Sequence, residues 1–491
     1  MKQKLEKWII EADLTGMQSA MEAGWLTSED LVAVYLERIR VIDSQIHSIL
    51  EINPDALEIA RALDHERQEH GSRGSLHGIP ILLKDNIDTG DRMHTSAGSI
   101  ALAHSFASQD SFVAAKLRAA GAVLLGKTNM TEWANYMSNT MWAGYSSRGG
   151  QTLNPYGPGE LFVGGSSSGS GAAIAANLAA ASVGTETSGS IVSPASHNAL
   201  VGIKPTVGLV SRTGIIPITN SQDTAGPLAR TVADAAILLG AMTGADPADS
   251  ATESSRGKTY TDYAQFLEAD FLKQARIGVP RAYYEALDEP RLAIMERAIA
   301  VMRERGATII NPVTLPCEET DWEPHVMRYE FKKYLNDYLS GLSDSVPVHS
   351  LQEVIAYNIE HANRALKYGQ DVLIWSEETS GTLTEEEYLK SLAKDRLHSR
   401  ELGIDHVLSE HQLDALLFPG DDGCDVAARA GYPIITVPAG FAETGIVAPG
   451  GYITKGPMGV TFSGHAYSEP TLIKLAYGFE QATKHRFPPE V

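Results

Sequence analysis

Short apolar segments alternate with segments of helical periodicity along most of the chain. Apolar runs bounded by turn residues predict β-strands, and these runs are Ile79–Leu83, Ala122–Leu125, Val201–Ile203, Val207–Val210, Ile277–Val279, Ala415–Phe418, Ile434–Val437 and Gly459–Phe462. Helical patterns predict helices over Phe112–Ala120, Ala172–Ala181, Thr231–Met242 and Arg291–Arg305. A last helix is predicted to begin at Ser468, a capping residue followed by Glu469 and Pro470. This alternation predicts an α/β protein.

The composition changes along the chain, but no linker marks the change. Residues 71–230 are rich in Gly and Ser and poor in charge, whereas residues 250–410 are charged and helix-patterned. No Gly/Ser-rich or Pro-rich stretch separates these parts. We therefore predict a single domain over residues 1–491, with a core formed by 71–230 and 411–491 and a helical elaboration at about 250–410.

Charge and cysteine content narrow the possible functions. The chain has 491 residues, and its 40 Lys plus Arg against 61 Asp plus Glu give a formal net charge of −21. Such an acidic surface repels nucleic-acid phosphates and anionic lipids, so we expect neither nucleic acid nor a membrane as partner. The N-terminal sequence has no apolar run of signal-peptide length, and Cys317 and Cys424 form no disulfide framework. We therefore expect a cytoplasmic protein.

A serine- and glycine-rich segment, Gly164–Gly171, directly precedes the predicted helix Ala172–Ala181. A phosphate-binding loop would need a lysine after the glycines, and none is present. Two interpretations remain for this segment on its own. Gly165–Gly169 matches the G-x-S-x-G nucleophile elbow with Ser167 at its centre, and the segment is also typical of a flexible loop.

A second small-residue segment, Gly184–Ser190, follows the same predicted helix. Successive backbone N–H groups in such a turn can bind an anion, which is what a tetrahedral oxyanion requires. A helix of this length allows its two flanking turns to lie near each other. We therefore expect two serine-bearing loops to face one cleft.

A serine nucleophile needs a base, and the sequence offers two kinds. The 15 histidines include His465, but none lies in a recognisable triad context. Lys84 ends the apolar run that begins at Ile79, and a buried amine loses its proton more readily because desolvation disfavours the charged form. Lys84 is thus a candidate base, and a buried Lys84–Asp85 pair is the alternative interpretation.

Several motifs in a fixed order resemble the amidase signature family. They are Gly78-Ile79-Pro80 with Lys84-Asp85, GGSSSGSGAA from Gly164, GTETSGSI from Gly184, Gly202–Thr206 and Ser221–Pro227. Further similarity extends through 428–440 and 459–482, so the resemblance covers most of the chain. The resemblance implies one large α/β/α domain around a mixed β-sheet.

The resemblance also implies a set of catalytic roles. Lys84 corresponds to the family's base, Ser166 to its cis-peptide relay serine and Ser190 to its nucleophile. The backbone N–H groups of Thr187, Ser188 and Gly189, with that of Ser190, correspond to the oxyanion hole. These roles imply an acyl-enzyme mechanism that hydrolyses carbon–nitrogen amide bonds.

Two departures from the common family pattern indicate a substrate class. Glu186 and Ser188 stand where the family commonly has Asp and Gly, and both residues look similar to the peptide-amidase branch, as does Ser193-Pro194-Ala195. We therefore expect small-molecule or peptide-terminal amide substrates and a monomer or homo-oligomer. Residues expected to line the substrate pocket are Tyr136, Met137, Gly164 and Gly165.

Other functions remain possible from the sequence. Within the family, the alternative is the amidotransferase component that releases ammonia for tRNA-dependent transamidation. From another class, the alternative is an α/β-hydrolase esterase that uses Ser167 with a histidine such as His465. We expect no organic cofactor and no metal, because an EF-hand loop starting at Asp421 would need Glu where Tyr432 stands.

Overall fold

Eleven strands form one mixed sheet in the computed structural model, which describes residues 2–448 and 450–491. The strands of this sheet and of a separate two-stranded ribbon are β1 (Ile49–Ile52), β2 (Pro80–Lys84), β3 (Val123–Thr128), β4 (Tyr145–Ser146), β5 (Gly150–Gln151), β6 (Ala181–Glu186), β7 (Val201–Lys204), β8 (Thr224–Ala229), β9 (Arg276–Pro280), β10 (Thr308–Val313), β11 (Ala415–Pro419), β12 (Ile434–Ala442) and β13 (Gly456–Ser463). The order across the large sheet is β1-β3-β2-β6-β8-β7-β12-β13-β11-β9-β10. β2 is parallel to both β3 and β6, and the central strands from β6 to β13 pair antiparallel.

Helices cover both faces of this sheet. They are α1 (Lys2–Trp8), α2 (Leu14–Glu22), α3 (Ser28–Ile46), α4 (Ala56–His70), α5 (Phe112–Ala119), α6 (Ser168–Ala175), α7 (Val192–His197), α8 (Val232–Met242), α9 (Glu289–Glu304), α10 (His325–Leu339), α11 (Leu351–Glu360), α12 (Ala362–Ala365), α13 (Asp371–Glu377), α14 (Glu386–Ser399), α15 (Asp405–Glu410), α16 (Cys424–Ala430) and α17 (Glu469–Thr483). Along β11, Ala415 and Leu417 pack in one cluster with α9 and α17, whereas Leu416 and Phe418 pack in another with α15 and α16. Side chains alternate between the faces of a strand, so these two clusters lie on opposite sides of the sheet. The observed fold is the single large α/β domain with a mixed sheet that the resemblance implied. Within the described ranges, no helix combines the length and apolarity needed to cross a bilayer.

Most predicted strands and helices are present with small shifts at their ends, but the predicted helix Ala172–Ala181 is wrong. α6 ends at Ala175, and Ala181 already belongs to β6. The chain turns at Asn177, whose φ of 56° is left-handed, and Arg38 donates hydrogen bonds of 2.8 and 2.9 Å to carbonyl groups of this turn. Tertiary hydrogen bonds thus end the helix although alanine favours its continuation.

The predicted strand Val207–Val210 is also wrong, because this segment forms a turn. Gly208 has a φ of +88°, and a Cβ built there would lie 2.3 Å from the carbonyl oxygen of Ala251. The backbone of a neighbouring segment therefore approaches this turn at a distance that only glycine permits. The last helix, α17, begins at Glu469, one residue after the predicted start at Ser468, and the Ser468 hydroxyl makes no capping hydrogen bond in the described structure.

The segment expected to be a helical elaboration, 250–410, also supplies β9 and β10 at one edge of the sheet. Its helices α10, α11 and α13 pack on residues 97–137 and 216–218 through an apolar cluster. Glu330 of α10 accepts hydrogen bonds of 2.8 and 2.9 Å from the N–H groups of Asn220 and Ser221. The same carboxylate accepts a bond of 2.8 Å from the Tyr388 hydroxyl. These bonds fix the 218–223 loop to the helical segment.

Gly169 lies in the first turn of α6, where the chain passes close to the end of β3. Its N–H donates to the carbonyl oxygen of Asn129 at 3.0 Å. A Cβ built at Gly169 would lie 2.4 Å from the carbonyl oxygens of both Asn129 and Ser48. Glycine is therefore required here by backbone on two sides, which cannot rotate away as a side chain can.

We predict that Gly169→Ala lowers the free energy of unfolding by about 1–3 kcal/mol, because the added methyl group overpacks a contact between backbone segments. Urea unfolding followed by circular dichroism measures this change. Gly341→Ala is the matched control, since its Cβ would have Tyr338 O at 3.5 Å as its nearest neighbour. Equal loss of stability in the two variants would contradict the steric explanation.

Candidate active site

Lys84 ends β2 and is fully buried. Its Nζ lies 2.8 Å from Ser166 Oγ, 3.0 Å from the carbonyl oxygen of Thr185 and 2.9 Å from Thr185 Oγ1. Asn86 Nδ2 donates to the same Thr185 Oγ1 at 3.0 Å. β2 and β6 are adjacent parallel strands, so their carboxyl ends bring Lys84 and Thr185 to the same edge of the sheet.

These three contacts suit a neutral amine. A neutral amine has two N–H bonds and one lone pair. The carbonyl oxygen of Thr185 can only accept, and Thr185 Oγ1 can accept the second N–H. The lone pair is then left for the hydroxyl proton of Ser166.

Burial lowers the pKa of Lys84 from its ordinary value of 10.5 to about 7. The carboxylates of Asp223 and Glu186 oppose this shift, because each favours the ammonium form. The alternative of a Lys84–Asp85 pair is wrong. The Asp85 carboxylate instead accepts from Gly98 N at 3.0 Å and pairs with Arg148 at 3.2 Å.

Ser166 is fully buried and follows a cis peptide bond from Gly165. Its carbonyl oxygen accepts the N–H of Thr131 at 3.0 Å, which fixes the loop to the segment after β3. Gly164 has a φ of +73°, and a Cβ there would lie 2.7 Å from the backbone of Pro194. This loop is therefore held between β3 and α7, with the Ser166 hydroxyl directed at Lys84.

The two serine-bearing loops meet as the sequence predicted. Ser167 N donates to the carbonyl oxygen of Ser190 at 3.1 Å. The Ser190 side chain remains 7% exposed, whereas Ser166 is completely enclosed. Among the described residues, the Ser190 hydroxyl makes no hydrogen bond, and its contact with Ser166 Oγ is not formed in this structure. Ser190 is thus the less enclosed serine of this pair.

Glu186 organises the loop that carries Ser190. Its Oε1 accepts the N–H of Gly189 at 2.8 Å, and its Oε2 accepts those of Ile191 and Val192 at 2.6 and 3.0 Å. The Gly189 N–H therefore already has an acceptor in this structure. The sequence led us to expect this group in the oxyanion hole, for which it would have to be free. In this part of the described chain, the N–H groups of Thr187, Ser188 and Ser190 have no acceptor, so an oxyanion could bind there.

Side chains of the same loop are held from two further sides. Thr187 Oγ1 donates to Asp223 at 2.6 Å, and the Ser188 hydroxyl donates to Asp425. Asp223 also accepts the N–H groups of Ile218 and Thr219 at 2.8 and 3.0 Å. The loop that carries Ser190, the 218–223 loop and α16 are thereby linked.

A cavity of about 200 Å³ has Asn86, Thr185, Thr187 and Asp223 in its wall. Lys84 does not line it, but Thr185 in its wall hydrogen-bonds the Lys84 amine. None of the four predicted substrate-pocket residues, Tyr136, Met137, Gly164 and Gly165, lines this cavity. Met137 is fully buried in the apolar cluster beneath α10, and the Tyr136 ring packs on Phe331 with centroids 4.9 Å apart. Two adjacent apolar residues in a sequence pack in a protein core at least as often as they line a ligand pocket. Here Tyr136 and Met137 pack in the core.

Sequence reasoning assigned no role to Thr185, Asn86 or Asp223. Each lies inside or beside a motif already noted: Thr185 within Gly184–Ser190, Asn86 two residues after Lys84, and Asp223 within Ser221–Pro227. The sequence signal that could have pointed to these three residues was their polar side chains within or beside the motifs. Their roles depend on pairings between distant segments, which spacing alone does not reveal.

Within the described ranges, no histidine hydrogen-bonds Ser167, the serine of the esterase alternative. Ser167 is fully buried, and its Oγ donates to the carbonyl oxygen of Thr185 at 3.1 Å. His465 instead pairs with Asp405 at 2.7 Å near the surface. Within the described residues, no cluster of His, Cys, Asp and Glu has the arrangement of a metal site, and Asp421 precedes α16 in a turn.

A family model described as amidase matches residues 30–473. The chain belongs to the amidase family. This amidase is 43% identical to a probable amidase of Arabidopsis thaliana over 98% of this chain and 92% of that relative. It is also similar to the crystal structure of the peptide amidase from Stenotrophomonas maltophilia, with 42% identity, a TM-score of 0.88 and 98% of each chain covered. More distantly, it is 33% identical to a component of the glutamyl-tRNA(Gln) amidotransferase of Moorella thermoacetica, over 95% of this chain and 96% of that one. The protein is thus an amide-hydrolysing enzyme.

We predict that the buried amine makes this amidase less stable as the pH falls. The pKa of Lys84 is 10.5 in the unfolded chain but only about 7 when folded. Between these values the unfolded chain binds more protons, so stability is lost by up to about 1.4 kcal/mol per pH unit as the pH falls from 10.5 to 7, and the loss is complete below 7. The unfolding free energies of the wild type and Lys84→Met, compared at about pH 9.5 and about pH 7, measure this effect. A difference between the two proteins that is the same at both pH values would contradict it.

Proposed function

We propose that this amidase hydrolyses carboxylic or peptide-terminal amides through a relay of Lys84, Ser166 and Ser190. The observation that carries the proposal is the 2.8 Å contact between Lys84 Nζ and Ser166 Oγ, made by an amine whose pKa burial lowers to about 7. A neutral amine at this position can accept the Ser166 proton near neutral pH. The contact of the two serine loops supports Ser190 as the group that Ser166 deprotonates.

The reaction proceeds in two stages. In the first, the Ser190 proton passes to Ser166 as the Ser166 proton passes to Lys84, and Ser190 Oγ bonds to the amide carbon. The carbon–nitrogen bond then breaks, the amine leaves with the proton returned through the same relay, and an acyl-enzyme remains. In the second stage, water loses a proton to the relay and attacks the ester. The acid is released, and Ser190 regains its proton.

The developing oxyanion is stabilised by the free backbone N–H groups of Thr187, Ser188 and Ser190. These groups surround the nucleophile and belong to a loop whose position is fixed by Glu186 on one side and by Asp223 and Asp425 on others. Donors that are already in place need no reorganisation during the reaction, which is why such loops accelerate acyl transfer.

The proposed substrate class rests on similarity to peptide amidases. Glu186 and Ser188 look similar to the residues of the peptide-amidase branch at these positions. The Stenotrophomonas maltophilia protein, whose structure is similar, is described as a peptide amidase. The alternative is the ammonia-releasing component of a tRNA-dependent amidotransferase. The lower identity to the Moorella thermoacetica protein favours the hydrolase over this alternative.

We predict that Ser190→Ala lowers kcat for release of ammonia from peptide amides by on the order of 10³-fold or more, because the covalent step is lost. Ammonia release is measured with C-terminal peptide amides, aliphatic amides and aryl amides, and with glutamine as the substrate of the alternative function. Ser167→Ala is the control, and we expect a small effect. A larger loss in Ser167→Ala than in Ser190→Ala would overturn the assignment of the nucleophile, and release from glutamine alone would favour the amidotransferase component.

We also predict that kcat/KM falls on the acidic side of about pH 7, since protonated Lys84 cannot accept the Ser166 proton. Activity holds on the alkaline side until the protein unfolds. Lys84→Met, which is close in volume, is expected to abolish turnover while the protein stays folded. Retention of most activity by this variant would show that another group is the base.

A further inference from the structure

Asn86 connects the base to a neighbouring backbone segment, 214–216. It lies two residues after Lys84, the last residue of β2, and is 2% exposed. Its backbone carbonyl oxygen accepts the N–H of Ile216 at 2.9 Å, and its side-chain Nδ2 donates to the carbonyl oxygen of Ile216 at 3.3 Å. The same Nδ2 donates to Thr185 Oγ1 at 3.0 Å. Two hydrogen bonds to Ile216 therefore fix the direction in which this amide points.

The orientation of the amide follows from the carbonyl group of Ile216. A carbonyl oxygen only accepts hydrogen bonds, so the NH₂ group of Asn86, and not its oxygen, must face Ile216. The amide oxygen Oδ1 is then buried with no hydrogen-bond partner among the residues that the structure describes. A buried acceptor without a partner destabilises a fold, and leucine at this position would avoid that cost. The NH₂ group is thus the part of this side chain that the position requires.

The hydroxyl group that receives this NH₂ group also contacts the base. Thr185 Oγ1 lies 2.9 Å from Lys84 Nζ, and the carbonyl oxygen of Thr185 lies 3.0 Å from the same nitrogen. These two acceptors can take both N–H bonds of the neutral amine, which leaves its lone pair for the Ser166 hydroxyl at 2.8 Å. The direction of the lone pair therefore depends on where Thr185 Oγ1 lies.

Asn86 favours the one rotamer of Thr185 that makes this contact. Rotation of χ1 to another staggered position would move Oγ1 away from Lys84 Nζ. One N–H bond of the buried amine would then turn to Ser166 Oγ, the third oxygen in contact with Nζ, because a buried donor needs an acceptor. Ser166 would face an N–H bond instead of a lone pair and could not give up its proton. The bond from Asn86 opposes this rotation, since Oγ1 must lie between both nitrogen atoms to keep both contacts.

We infer that Asn86 is a positioning residue for hydrolysis: its amide N–H holds the Thr185 hydroxyl against Lys84 and thereby keeps the Lys84 lone pair directed at Ser166. Within the described structure, the side-chain hydrogen bonds of Asn86 go to Thr185 and Ile216, so it reaches the base through Thr185. The inference rests on the proposed function, because it takes Lys84 as the base. It adds to the site a residue that bonds no atom of the relay itself.

The test is a double-mutant cycle between Asn86 and Thr185, with kcat and KM for peptide-amide hydrolysis as the measured quantities. Asn86→Leu removes the donor at similar volume. We expect its kcat to fall on the order of 10²-fold, as for a misplaced reacting group, while KM stays nearly unchanged. Thr185→Val removes the hydroxyl at similar volume, and we expect a loss of kcat at least as large. Because both changes act through one hydroxyl group, the double variant should lose no more than Thr185→Val alone.

The bond to Ile216 provides the competing structural explanation. If Asn86→Leu acted by loosening the backbone at Ile216, its loss of kcat would multiply with that of Thr185→Val, since the two changes would then be independent. Multiplied losses would overturn the inference, and so would a wild-type kcat in either single variant. Thr185→Ser retains the hydroxyl and should recover most of the kcat that Thr185→Val loses. A kcat as low as that of Thr185→Val would also overturn the inference.

Asn358→Leu is the matched control. Asn358 is fully buried, its Nδ2 donates to Gln370 Oε1 at 3.0 Å, and its Oδ1 also lacks a partner in the described part of the chain. It belongs to α11 in the helical segment. This variant loses the same chemical group as Asn86→Leu, and its kcat should stay near that of the wild type. A loss of kcat equal to that in Asn86→Leu would contradict a specific role for Asn86.

Circular dichroism shows whether each variant is folded. If Asn86→Leu does not fold, Asn86→Ala removes the same donor and takes its place in the cycle, where the same comparison with Thr185→Val decides. Failure of the proposed function is distinguishable, because Lys84→Met would then retain activity. Failure of this inference alone would leave Lys84→Met inactive and Asn86→Leu active.

Discussion

The buried amine of Lys84 is the constraint on which the rest of the site depends. An amine without water is stable only if its hydrogen-bonding groups find partners and its charge can be removed at low cost. Thr185 and Ser166 supply these partners, so the end of β6 and the serine loop must both lie against the end of β2. Adjacent parallel strands satisfy this requirement, since β2 and β6 both end at the same edge of the sheet. The sheet order is thus directly related to the proton transfer that we propose for this site.

Among the residues that the structure describes, no carboxylate forms a hydrogen bond or ion pair with this amine. Asp223 and Glu186 act on it from a distance while their oxygens are occupied by backbone N–H groups. A direct ion pair would hold Lys84 in its charged form, which cannot act as a base. The two carboxylates therefore hold loop backbone and also favour the ammonium form of Lys84, the proposed base. These two roles of the carboxylates explain why so many charged groups are buried near one small cavity.

The fold and the centre of the site could be largely predicted from the sequence, whereas the surroundings of the site could not. Alternating apolar runs predicted most strands, and the family resemblance led us to expect Lys84, Ser166 and Ser190 in one site. The structure joins Lys84 to Ser166 and joins the two serine-bearing loops through the Ser167 N–H and the Ser190 carbonyl oxygen. The errors arose where distant segments override local preference. Hydrogen bonds from Arg38 end α6 early, the backbone of Ala251 closely approaches the turn at Gly208, and Glu186 accepts the Gly189 N–H. None of these contacts leaves a local pattern, because each depends on how the folded chain brings its segments together.

The hydrogen bonds of Glu330 have a consequence for motion. They join α10 to Asn220 and Ser221, while the neighbouring Asp223 holds Thr187 beside the nucleophile. An outward movement of α10 would draw on the backbone of the 218–223 loop and so displace a carboxylate that acts on Lys84. The helical segment is therefore connected, through Glu330 and the backbone of the 218–223 loop, to Thr187 in the loop that carries Ser190.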